Sequence, residues 1–460
     1  MLSKKVIEDI LNEALSTGGD FAEVFIEDKS VNSLYMVDGK IEQALSGKDY
    51  GIGIRIFKDL FSVYAYTNKM DFENLINTAK KASQAIKGTH EDITINLIKQ
   101  DIENHHKILI SPNSVGKNSK VDIMREAYGA AKNYDEVISQ VRINYSDSTQ
   151  NVLIANSENL FVEDTRVRTR IGIESIASKG TEMQTGSYRP GASKGFELFD
   201  SIDVKEYGKE ASRIAKTMLG AKYAPSGKMP VIIDNKFGGV IFHEACGHGL
   251  EATSVAKGLS VFAGKLGEKI ASDVVSAVDD GTLPNEWGSS NVDDEGHVTQ
   301  RNLLIENGIL KGYMIDKLNG RRMGMAATGS SRRESYKFAP TSRMTNTFIL
   351  PGESSLDEMI KNTEKGIYAK YMGGGSVNPS TGDFNFSVME GYIVENGEIK
   401  EPIRGATLIG NGPESLKLID MVGNNLDHGQ GMCGSVSGSI PANVGQPSIR
   451  IKEIVVGGRD

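Results

Sequence analysis

Two histidines five positions apart place the tightest constraint on how this chain can fold. The stretch reads Phe242-His243-Glu244-Ala245-Cys246-Gly247-His248-Gly249-Leu250-Glu251. Neutral imidazoles bind zinc, and a carboxylate beside them can draw a proton from water held on the ion. In an unbroken helix, positions i and i+4 lie about 40° apart, on one face. Positions i and i+5 lie about 140° apart. His243 and His248 can therefore share one ion only where the helix is distorted. A single-turn π-bulge, or a break at Gly247, meets that demand. The spacing predicts a helix with a local defect between the two histidines.

A catalytic zinc site needs a third protein ligand. Glu251, three residues after His248, is a local candidate. His297, His428, Cys433 and Cys246 are remote ones. Cys433 sits in Gly429-Gln430-Gly431-Met432-Cys433-Gly434-Ser435, which reads as a flexible glycine-rich loop able to close a thiolate onto the ion. Spacing alone leaves all five open.

The two cysteines are the whole supply. They do not make a disulfide scaffold, and a cytoplasmic location is expected. The net charge is −8 with no basic stripe, so nucleic acid is not an expected partner. No apolar run approaches the roughly 20 residues a membrane span needs. The first fifteen residues carry Lys, Glu and Asp at helical spacing and lack the apolar core of a signal peptide.

A length of 460 residues implies more than one domain. The fold class expected is α+β, in three units. Residues 1–90 read as an amphipathic helix, a meander of strands with a hairpin at Asp38-Gly39, and a second helix near 70–86. Residues 91–222 begin with a polar connection containing His105-His106. A helix near 120–134 follows, then strands near 136–146, 150–155 and 159–178, then a helix near 202–219. Residues 223–460 open on a buried strand at Met229–Asp234, which feeds the histidine motif. Hairpins at Asn307-Gly308 and Asn396-Gly397 mark this third unit as rich in antiparallel sheet.

The motif resembles that of the TldD/PmbA family of metalloproteases. So do Val278-Asp279-Asp280-Gly281-Thr282, Arg332-Arg333-Glu334-Ser335-Tyr336, Arg343-Met344-Thr345-Asn346-Thr347 and Gly405-Ala406-Thr407-Leu408-Ile409-Gly410. The tail from Gly431-Met432-Cys433-Gly434 to Val444-Gly445-Gln446-Pro447 fits as well. Both histidines, the glutamate and the late cysteine are retained, as in the TldD branch. The resemblance implies about one zinc ion per chain, held by His243, His248 and Cys433, with Glu244 as general base. It implies hydrolysis of short or unfolded peptides, and in some members the processing of ribosomally made precursor peptides. It also implies a two-fold dimer, with itself or with a metal-less paralogue. Where many relatives carry Gly-Asp after the Leu-Glu, this chain has Ala252-Thr253.

Hydrolysis of a peptide needs a donor for the developing oxyanion besides the ion. Arg332, Arg333, Tyr336 and Arg343 are the candidates for that role and for binding substrate; an ion-pair network with Glu334 is the structural alternative. His105 and His106 read as solvated surface. Asp293-Asp294-Glu295-Gly296 before His297 reads as a solvated acidic turn. A non-catalytic peptide-binding subunit and a metal-dependent amidase are the competing functions.

Overall fold

The computed structural model describes residues 2–89 and 93–459. The boundary expected between 90 and 91 lies outside the described residues.

The N-terminal half is built on one sheet. Its path runs Phe61–Thr67, Lys40–Lys58, Phe21–Val37, Ile138–Asn156, Leu160–Lys179, Ile98–Lys99. Strands from residues 1–90 and 91–222 thus share one sheet, joined where Phe21–Val37 pairs antiparallel with Ile138–Asn156. The hairpin at Asp38-Gly39 is present, with φ of 46° and 78°. Both positive values suit a tight two-residue turn that matches strand twist.

The strands are longer than their hydrophobic patterns suggest. Phe21–Val37 is continuous, as is Ile138–Asn156. Each bridges two separate cores. At one end Ala22, Val24, Ile26, Leu153 and Ala155 pack under helices Lys4–Leu15 and Phe72–Ser83. At the other, Leu34, Met36, Val141, Ile143 and Tyr145 pack under helices Lys117–Lys132 and Val204–Leu219. Polar residues between the cores, such as Asp28-Lys29-Ser30, break the apolar alternation without breaking the strand.

In the C-terminal domain, strands Lys365–Val377, Gly227–Ile233, Ile449–Gly457, Thr407–Asn411 and Asp383–Glu395 follow one another in a sheet. Lys365–Val377 also pairs with Asp383–Glu395, which closes these strands into a ring. A six-stranded sheet stands beside it, in the order Ile309–Leu310, Arg301–Glu306, Ala277–Asp280, Asn346–Ile349, Gly438–Gln446, Asp427–Ser435. Pairing is mostly antiparallel, as the sequence predicts, and the turns at Asn307-Gly308 and Asn396-Gly397 both form. The class is α+β. Among the described residues no helix is long and apolar enough to cross a membrane.

The N-terminal sheet meets the C-terminal domain through Phe25, Val152, Ile154 and Val162, which pack on Val292 and Tyr336. The acidic turn sits at this junction and is not solvated. Asp293, Asp294 and Glu295 are 1%, 2% and 1% exposed. Glu295 pairs with Arg55, Asp294 with Arg166 at 2.5 Å, and Glu23 with Arg55 and Arg333 at 2.8 Å. Isolated carboxylates cannot be buried so deeply; arginines from the sheet meet Asp294 and Glu295, and Asp293 accepts the backbone N–H groups of Glu295, His297 and Ser331.

His106 also departs from expectation. It is buried, and its Nδ1 accepts the Asn285 N–H at 3.0 Å, whereas His105 is exposed. Burial pushes the His106 imidazole down from 6.5 to about 4. The unfolded chain therefore binds the extra proton first. Stability contributed by neutral His106 is present above about pH 6.5 and falls as pH drops towards 4. His106→Gln is expected to flatten the fall in melting temperature across that window; an unchanged slope excludes His106 as a source.

Candidate metal centre

The buried strand Gly227–Ile233 delivers the chain to the motif. Lys236 takes φ of 56°, a 3-10 turn spans Phe237–Gly239, and the helix Val240–Ala245 begins. Gly239 fixes where this helix starts: a Cβ there would lie 2.6 Å from the Gly445 backbone. The helix is thereby pressed against the strand Gly438–Gln446, whose hairpin partner carries Cys433.

The defect expected between the histidines is present, one residue earlier than Gly247. The helix ends at Ala245. Cys246 leaves helical geometry at φ −125°, ψ −51°, and a 3-10 turn spans Gly247–Leu250. Gly247 serves packing instead: a Cβ on it would lie 2.2 Å from Met344 Sδ. With Cys246 absorbing the rotation, the two imidazoles face a common point. Their ring centroids are 5.2 Å apart and nearly perpendicular, at 84°.

Cys433 completes the cluster. It lies on the strand Asp427–Ser435, paired with Ile440, and not in a flexible loop. Its Sγ is 3.3 Å from His243 Nε2 and 3.3 Å from His248 Nε2. The three donor atoms lie within 4.8 Å of one another. A tetrahedral zinc with Zn–N near 2.1 Å and Zn–S near 2.3 Å holds such donors roughly 3.6 Å apart. The spacing, and the mixture of two imidazoles with one thiolate, fit zinc.

The electrostatics fit it too. Burial opposes ionisation of the Cys433 thiol, but the imidazoles of His243 and His248 outweigh it and bring the group to about 3. Burial likewise opposes charge on His248, yet Glu251 and Cys433 raise its pKa well above 6.5. Both imidazoles thus favour the thiolate, the form in which cysteine binds metal.

Glu251, a candidate third ligand, stands behind the cluster. Its Oε2 lies 3.1 Å from His248 Nδ1, which leaves Nε2 facing the sulfur. Glu244 Oε2 lies 3.6 Å from that same Nε2. Arg343 braces both halves: its Nη2 donates to the Cys433 carbonyl at 2.6 Å, and its Nε lies 3.7 Å from Glu251 Oε1. The i+3 spacing of His248 and Glu251 was the one signal of this support; nothing in the sequence marked Arg343 as a brace. Thr253 has a local role, its hydroxyl accepting the Ser342 N–H at 3.1 Å.

The other candidates lie elsewhere. Arg333 donates to Glu23 and to the Asp294 carbonyl, and Tyr336 O–H to Asp49 at 3.1 Å, so both face the N-terminal sheet. Arg332 donates to the Met344 carbonyl at 2.6 Å. Glu334 pairs with none of these arginines; it accepts the Ser439 N–H at 2.7 Å. His428 packs edge-on against Phe348, and His297 is half-buried beside the acidic turn. Cys246 is fully buried, and burial pushes its thiol up, so it stays protonated and inert.

Residues 22–86, 110–219 and 226–458 match, in order, the first, central and C-terminal domains of the PmbA/TldA metallopeptidases. The chain belongs to the PmbA/TldD metallopeptidase family. It is 36% identical over 457 residues to a metalloprotease TldD homolog of Buchnera aphidicola, covering 97% of this chain and 95% of that protein. It is 26% identical over 452 residues to a zinc metalloprotease TldD homolog of Saccharolobus solfataricus, covering 97% and 99%. Its fold matches a crystal structure from Thermotoga maritima, described as a candidate modulator of a DNA gyrase. The TM-score is 0.81 at 23% identity, over 99% of this chain and all of that one.

In a metallopeptidase centre, the group behind a ligand histidine fixes its tautomer and basicity. Glu251→Gln is expected to weaken zinc binding by about 10- to 100-fold while the fold is kept. Competition with a chelator measures it, and unchanged affinity would remove Glu251 from the centre.

Proposed function

We propose that the protein is a zinc-dependent peptidase acting on short or unfolded peptides, ribosomally made precursor peptides among them. One observation carries this reading: His243, His248 and Cys433 converge, and the Glu244 carboxylate faces the same histidine nitrogen that faces the sulfur. His243, His248 and Cys433 would hold a zinc ion, which would supply Lewis-acid activation of a water and of a scissile carbonyl. Glu244, with its side chain 25% exposed, accepts the proton and returns it to the leaving amine. Glu251 keeps His248 oriented, and Arg343 keeps the Cys433 strand against it.

Burial supports the choice of substrate. His243 is 2% and Cys433 6% exposed. Donors set this deep are out of reach of the surface of a folded protein, which favours a narrower substrate such as an extended chain. The two free thiols suit a reducing compartment, so we place the protein in the cytoplasm. We infer a two-fold assembly, with itself or with a metal-less paralogue.

Zinc analysis together with cleavage of an unstructured peptide tests the reading. About one zinc per chain and chelator-sensitive cleavage are expected. A folded preparation that takes up no zinc, or a zinc-loaded one that cleaves no peptide, overturns it.

A further inference from the structure

A cavity of about 210 Å³ lies between the N-terminal sheet and the C-terminal domain. It adjoins the hairpin that carries the metal-binding cysteine. Met432 precedes Cys433 in the chain, Ile440 faces it across the hairpin, and both line the cavity. So do Arg168 and Arg332.

These two arginines are unusual for buried ones. Arg168 is 8% and Arg332 6% exposed. Arg168 donates from Nε to the Trp287 carbonyl and from Nη2 to the Ser289 carbonyl, each at 3.0 Å. Arg332 donates from Nη1 to the Met344 carbonyl. Among the described residues, Arg168 Nη1 and Arg332 Nε and Nη2 donate to nothing. Neither guanidinium has a carboxylate within the 4.0 Å of an ion pair.

The acids in and beside the cavity wall, which include Asp147 and Glu334, are already engaged: Asp147 takes Lys120 and the Tyr145 O–H, and Glu334 accepts the Ser439 N–H. Asp294 takes Arg166 and the Arg333 N–H. Asp164 takes Arg166 and Asn291. Asp279 takes Thr345 and Thr347. Asp293 accepts the N–H groups of Glu295, His297 and Ser331. Burial, with Arg332 and Arg166 beside it, lowers Arg168 to about 9; burial lowers Arg332 to about 10 against the pull of Asp294. Arg55, Arg166 and Arg333 at this junction are each matched to a carboxylate; Arg170, which donates to the Gln430 carbonyl across it, is not. Uncompensated buried charge is costly, and a planar guanidinium fork is shaped for a carboxylate.

We propose that this cavity is a carboxylate-binding subsite, in which Arg168 and Arg332 seat an anionic group of the peptide substrate. The carboxylate comes from an Asp or Glu side chain or from the peptide's C-terminus. The subsite rests on the peptidase reading, and it gives that activity a preference which the metal centre alone does not supply.

Three N-acetylated five-residue peptides test it by calorimetry on the zinc-loaded full chain carrying Glu244→Gln. One is alanine with a central Glu and a C-terminal amide. The second is all alanine with a free C-terminal carboxylate. The third is all alanine with a C-terminal amide. At least one of the first two should bind about tenfold tighter than the third, and which one does identifies the source of the carboxylate. Adding Arg168→Gln or Arg332→Gln should bring that ratio to within about twofold. Equal affinity for all three, binding of none, or a preference that survives both arginine substitutions overturns the subsite. If either arginine variant fails to fold by circular dichroism, the three-peptide comparison on the Glu244→Gln chain still decides. Cleavage by the unsubstituted chain separates the two readings. Peptides cleaved but bound without preference remove the subsite alone. A carboxylate preference with no cleavage removes the peptidase reading alone.

Discussion

Glu244→Gln is expected to leave the zinc content unchanged and to lower peptide cleavage by about 10²- to 10⁴-fold. The amide has the size of the carboxylate but cannot take a proton at neutral pH. Nothing else in the centre is expected to change, because the three donors that converge to hold an ion are those of His243, His248 and Cys433, and Glu244 is not among them. The carboxylate is 3.6 Å from His248 Nε2, so it stands on the face of the imidazole that looks at the ion site. The loss corresponds to about 2.7–5.4 kcal/mol of barrier, which is the size of a general base. Turnover of an unstructured peptide, measured beside zinc per chain, separates the two roles of the motif. Turnover retained with zinc in place would exclude Glu244 as the base. Zinc lost together with turnover would make it a ligand.

The motif and its distortion were legible because helical geometry is rigid: five residues cannot place two side chains on one face. The hairpins at Asp38-Gly39, Asn307-Gly308 and Asn396-Gly397 were legible because their φ values restrict which residues can occupy them. The position of Cys433 was not. A strand rich in glycine has no alternation to read, and Asp427–Ser435 forms through its partner Gly438–Gln446, not through its own pattern. The exact residue of the helix break was hidden for a similar reason. Gly247 looks like the breaker, but the conformational change falls on Cys246, and Gly247 is required by the close approach of Met344. The acidic turn misled most. Three consecutive acids imply solvent until arginines far away in sequence are known to face them, and Arg55 and Arg166 arrive from strands of the other half. Such pairing is tertiary and leaves no local trace.

That turn supports the last expectation. Asp294→Ala is expected to destabilise the protein by about 3–5 kcal/mol, the cost of breaking a buried ion pair from one side. A surface pair gives no such effect. Lys5 and Asp9, with side chains 76% and 32% exposed, contribute little, because water solvates each partner left alone. Asp294 is different in kind. Its carboxylate accepts from Arg166 Nη1 at 2.5 Å and from the Arg333 N–H at 2.6 Å, and it is 2% exposed. Truncation leaves Arg166 with Asp164 alone, at 3.2 Å, and leaves a buried N–H unpaired. Arg166 also donates to the Val292 carbonyl at 2.9 Å, so the damage reaches the seam where Phe25 and Val152 pack. Denaturant unfolding followed by tryptophan fluorescence reads the seam directly, since the single Trp287 lies in it, its carbonyl held by Arg168. A loss below about 1 kcal/mol would show that the two halves hold together by apolar packing alone. A loss of the expected size makes the buried charges the lock that keeps the N-terminal sheet against the domain carrying the metal centre.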